Sequence, residues 1–153
     1  MPLSAPRPLM TMAAMLLAAA SGWVWPARAD APAGTYTTTA TTATDTKTRL
    51  EWRRDASPSA TSQAGAQAYC TMLGGGWRLP SVLELVSLVD EQRTGTPAPP
   101  ALDPVFIGAP EYFWSATSYA GGGSPASGWI VNFENGDTLS QAVTTTARAR
   151  CVR

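Results

Sequence analysis

The residues able to do chemistry fall into five groups. Asn132, Glu134, Asn135 and Asp137 put four oxygen-bearing side chains within six positions, the kind of hard-oxygen set that Ca²⁺ takes. Arg148 and Arg150 alternate along a tail that ends at Arg153. That makes a basic stripe suited to a polyanion such as a sulfated glycan. Trp52, Trp77, Trp114 and Trp129 offer aromatic faces on which a pyranose ring could stack. Arg78, next to Trp77, is suited to a sulfate or carboxylate. Cys70 and Cys151 are the only cysteines.

Each group also has a structural use, and at each single position that use weighs more. Tryptophan in an apolar or strand context packs cores well. Arg78 can pair internally with Glu84 or Asp103 and pin a loop. Asn135-Gly136 is a hairpin signal of type I′, and strand alternation sends Asn132 and Glu134 to one face, away from Phe133. The arginine stripe can be the solvated face of a terminal strand.

Composition removes much enzymology. The 153 residues contain no histidine, so Ser-His and Cys-His nucleophiles and His-based metal sites are excluded. The remaining acid–base candidates are Glu84, Asp90 and Asp103, and no pairing between them is visible. No catalytic residue is assigned, and no cofactor is expected apart from calcium at the oxygen cluster. Eleven basic side chains against eleven acidic ones leave no electrostatic footprint for nucleic acid.

The elements that must position these groups begin with an export signal. Arg7 precedes the apolar run Leu9–Ala20, and Ala27-Arg28-Ala29 is a small-x-small cleavage pattern. Residues 1–29 are read as a signal peptide, too short in its apolar part for a membrane span. The mature chain, 30–153, then carries nine basic and eleven acidic side chains. It is destined for the periplasm or the cell exterior. In an oxidising compartment Cys70 and Cys151 are expected to pair. A loop of about 80 residues is worth about 4–4.5 kcal/mol in the chain-entropy model.

Residues 30–43 are a Thr/Ala/Pro-rich leader or edge strand, and 44–153 form the domain. The run 35–48 holds nine threonines and little to bury. It would pair through Asp45-Thr46-Lys47-Thr48 with the alternating strand at Leu50–Arg53. A first helix over 62–73 places Ala64, Ala68 and Met72 in one row and stops at Gly74-Gly75-Gly76. Ser81 and Glu84 fit a capping box for a second helix to about Gln92, with Val82, Leu85, Val86 and Val89 buried. A loop rich in Pro, Gly and Ala fills 93–110. Strands follow at 112–117, 129–133, 137–143 and 147–153. Early helices and late antiparallel strands make the fold α+β.

Seven segments in order carry a resemblance. They are Thr44-Asp45-Thr46-Lys47-Thr48 leading to Leu50 and Trp52; Ala68-Tyr69-Cys70; Trp77-Arg78-Leu79-Pro80 with Glu84-Leu85; Pro100-Ala101-Leu102-Asp103-Pro104; Phe113-Trp114-Ser115; Trp129–Phe133 with Asn135-Gly136; and Arg150-Cys151-Val152-Arg153. Together, over about 44–153, they resemble the Lcl C-terminal domain family, a bacterial exported domain named after a collagen-like adhesin. The resemblance implies a C-type-lectin-like fold in which a disulfide ties the first helix to the final strand. It also implies adhesion, including binding of sulfated polysaccharide by a trimer. The sequence shows no collagen-like Gly-x-y stalk, and Arg49 stands where the family pattern has a small turn residue. The expected function is non-catalytic binding of a glycan or a surface protein. The alternative is a structural or interaction subunit of an envelope assembly with no small ligand.

Overall fold

A computed structural model describes residues 35–93, 101–122, 124 and 126–153. The signal segment and residues 30–34 of the leader lie outside the described residues, as does 94–100 of the long loop. The threonine run is strand: β1 is Tyr36–Thr38 and β2 is Thr42–Asp45, paired antiparallel. β3, Glu51–Arg53, completes a sheet in the order β1-β2-β3. In the β2–β3 turn the Asp45 carboxylate accepts from the Lys47 and Thr48 amides, at 2.7 and 3.2 Å. The Arg49 amide closes the turn on the Asp45 carbonyl at 2.9 Å. Arg49 has φ 65°, and among the described residues it is the only non-glycine at positive φ. A side chain in that left-handed conformation costs about 1–2 kcal/mol.

α1 spans Gln63–Met72, with the Ser62 hydroxyl accepting from the Gly65 amide. Its buried face is Gln63, Ala66 and Cys70, not the expected row of Ala64, Ala68 and Met72; Met72 is 85% exposed. Small residues let the helix dock closely. Gln63 lies over Gly128, where a Cβ would sit 2.4 Å from its Nε2, and that Nε2 donates to the Ser115 carbonyl at 2.8 Å.

α2 is shorter than expected, Val82–Val86, although its capping box forms as predicted between Ser81 and Glu84. The chain then turns so that Leu88 is buried and Val89 bridges to Leu102, while Val86 is left exposed. A single 3₁₀ turn follows at Glu91–Arg93.

β4 (Tyr112–Ser118), β5 (Ser127–Asn132) and β6 (Thr138–Ala142) form the second antiparallel sheet, in that order. The β5–β6 hairpin sits where Asn135-Gly136 predicted one. Its turn is not type I′, because only Gly136, at φ 85°, takes positive φ. The Gly136 amide reaches back to the Asn132 carbonyl at 2.7 Å, closing a wider loop.

Pairing of Phe113 with Val131 and of Trp114 with Ile130 gives the second sheet two covered faces. Phe113 and Val131 join Trp52, Leu85, Leu88, Phe106 and Phe133 in one core. Trp114 and Ile130 join Ala66, Trp77, Leu79 and the disulfide in the other. The C-terminal segment 147–153 was expected to be a regular strand. It is a seam instead, held by separate bridges: Ala147 to Thr61, Arg148 to Phe113, and Val152 to both Trp52 and Arg78. Cys70 and Cys151 are bonded within the second core, their Cα atoms 5.4 Å apart. The molecule is α+β, two helices against two three-stranded antiparallel sheets. No helix of the described residues is long and apolar enough to cross a membrane.

Candidate functional site

The seam decides where the arginines go, and it does not leave them as one stripe. Arg150 is fully buried. Its guanidinium donates to the carbonyls of Arg53, Arg54 and Ile107 and lies over the rings of Phe106 and Phe113, at 4.9 and 5.2 Å. Burial pushes its pKa down to about 10, with Asp55 acting weakly the other way. It is still a cation at neutral pH. Arg153 stacks 4.5 Å from the centre of the Trp77 ring and pairs with Glu51 at 2.8 Å. Arg148 is the one of the three that reaches a groove. Its Nε donates to Glu111 at 2.8 Å and its Nη1 to the Ser57 carbonyl at 2.9 Å. The arrangement holds the Glu111 carboxyl below the usual range.

The tryptophans divide in the same way. Trp52 and Trp114 are fully buried, and Trp77 is 9% exposed beneath Arg153. The Trp114 indole donates to the Thr61 carbonyl at 2.9 Å. Trp129 is half-buried and meets Tyr119 edge to face at 5.2 Å. Arg78 takes the internal partner its position suggested, donating to both oxygens of Glu84 at 2.9 and 2.7 Å. That pairing, reinforced by Ser81, lowers the Glu84 pKa to about 2.

The four oxygen residues do not converge. The Asn132 side-chain oxygen accepts from the Glu134 amide at 2.9 Å. Asn135 and Asp137 bond one another, Nδ2 to Oδ2 at 2.6 Å. Asn132 and Glu134 line one hollow, whereas Asn135 and Asp137 line another across the hairpin, beside Val86, Val89 and Glu91. Among the described residues no group of three acidic or sulfur side chains is placed to hold a metal. Asn132, Asn135 and Asp137 each use a side-chain oxygen within their own turn.

A groove does form along the seam, in two hollows parted by the Arg148–Glu111 pair. The first, about 190 Å³, lies between Asp55–Ser57 and Ile107–Ala109, with Arg148 at its edge. The second, about 210 Å³, has Ala60, Pro110 and Ala147 as apolar lining, with Glu111, Tyr112, Asn132, Glu134 and Thr146 around them. Tyr112 is 44% exposed there. Glu111 and Tyr112 were not among the residues singled out in the sequence. Their nearest signal is the aromatic strand beginning at Tyr112, which the sequence marks as a strand and not as a site.

The Lcl C-terminal domain model matches residues 41–153. The chain belongs to the Lcl C-terminal domain family. Both hollows and both cysteines of the Lcl C-terminal domain fall inside the matched residues, while β1 precedes them. No curated protein matches the chain.

Proposed function

We propose that this Lcl C-terminal domain protein is a non-catalytic binding module that works outside the cytoplasm and recognises a glycan along the seam groove. The observation that carries the reading is the second hollow. An exposed tyrosine ring, apolar lining and several hydrogen-bonding side chains surround a depression open to solvent. Aromatic surface combined with a few placed polar groups is what small-ligand sites use. Family membership and the buried disulfide support export. The non-catalytic part rests on how the carboxylates are used. Glu84 is locked to Arg78, Asp103 accepts from the Val105 amide, and Asp90 lies 4.0 Å from Arg93.

A glycan array tests this. Bound glycans are expected, with binding unchanged by EDTA because the four oxygens do not converge. Binding should also change little with salt, because Arg148 and Arg153 are paired and Arg150 is internal. An array without any bound glycan overturns the reading. A second reading, a protein-interaction subunit, draws support from Leu83, which is 79% exposed on α2 beside the exposed Val86.

A further inference from the structure

Asn132 is 94% withdrawn from solvent, with 6% exposure, yet it lines the second hollow. Its orientation is fixed from below. The Glu134 backbone amide needs an acceptor, and the Asn132 oxygen supplies it at 2.9 Å. The Nδ2 group is therefore what Asn132 offers to the hollow, and among the described residues it has no acceptor. It is not sealed in the interior either, since it is absent from the buried side-chain atoms that lack a partner. A donor held in this way calls for an oxygen from outside.

The rest of the lining narrows what carries that oxygen. Glu111 and Glu134 oppose a sulfate, phosphate or carboxylate, because among the described residues only Glu111 of the two has a cation beside it. A ligand ammonium has no acceptor capacity for the Asn132 donor. Hydroxyls satisfy both sides, accepting from Nδ2 and donating to the carboxylates. The volume, about 210 Å³, is below the ~300 Å³ at which pockets begin to hold drug-sized ligands. One ring fits the description, with the Tyr112 side chain and Pro110 as its apolar wall.

We propose that the hollow beside Asn132 holds a single uncharged pyranose ring, with Asn132 Nδ2 donating to a ring hydroxyl and Glu134 accepting from another. This rests on the glycan-binding reading and moves the ligand from sulfated to neutral sugars. The probes are methyl glycosides of glucose, galactose, mannose, fucose and N-acetylglucosamine, with methylated lysine and a sulfated galactoside as charged comparisons, each added to the ¹⁵N-labelled protein. At least one should shift the Asn132 side-chain amide signals. Asn132→Asp keeps the oxygen that Glu134 needs and removes the donor, so it should weaken that glycoside about tenfold, the equivalent of one such hydrogen bond.

Loss of no affinity in Asn132→Asp overturns the proposal, as does a panel in which methylated lysine or a sulfated sugar, but no neutral glycoside, shifts those signals. If the array shows glycan binding while the Asn132 signals stay still, the hollow is the wrong place and the glycan reading survives. If no saccharide binds in either experiment, both fall.

Discussion

Arg150 brings a full charge into the interior and meets carbonyl oxygens and aromatic faces there. Alternation along Ala147-Arg148-Ala149-Arg150 suggested alanines inward and arginines outward. The alanines are indeed buried, but the segment runs between two cores, so its other face is covered as well at position 150. Alternation reads one buried face and is silent when both are covered. Truncation to Ala would leave three carbonyls without their donor and open a cavity. Arg150→Ala should therefore lose about 3 kcal/mol or more in urea denaturation. Arg150→Lys should not restore it, since an ammonium cannot fork to the three carbonyls. A midpoint unchanged in either variant would contradict this role. Asn132 was legible as a polar residue near a turn, but what its amide faces depends on Ala60, Glu111 and Thr146, all far from it in sequence.

Among the elements, what is local was readable and what depends on neighbours was not. The capping box at Ser81 and Glu84 is written in four residues and forms as expected. The end of α2 is not local: the chain leaves the helix at Ser87 so that Leu88 can enter the core and Val89 can bridge Leu102. The choice of face on α1 follows from the sheet it meets, where Ala66 and Cys70 allow close approach and Met72 does not. At α2 the Arg78–Glu84 pair gives a pH prediction. The Glu84 pKa falls from 4.5 to about 2 on folding, mainly through Arg78. Its stabilising contribution is therefore complete above pH 4.5 and disappears as pH falls towards 2. Denaturation between those pH values should show wild type losing more stability than Glu84→Gln. Parallel curves for the two proteins would remove Glu84 from the acid response.

For the whole molecule, fold class and disulfide were accessible because few alternatives existed: two cysteines, early helices and late strands. The threonine run was ambiguous because it has little apolar content; it is fixed as strand by partners in β3, which bury Ala43 against Trp52. The groove was not accessible, since Arg148 meets Glu111 across 37 positions and no local pattern pairs them. Cys70 and Cys151 join α1 to the seam across 81 positions. Replacing both with Ala should lower unfolding free energy by about 4 kcal/mol, and an equal midpoint would show that packing alone holds the seam.

If recognition takes place in the groove beside the seam, Tyr112, its exposed aromatic wall, must carry much of it. The most direct measurement compares wild type with Tyr112→Ala on one glycan array, with near-UV circular dichroism as the check on folding. The bound glycans should disappear or weaken sharply while the spectrum of the buried tryptophans is retained. An unchanged binding profile in correctly folded Tyr112→Ala would contradict it.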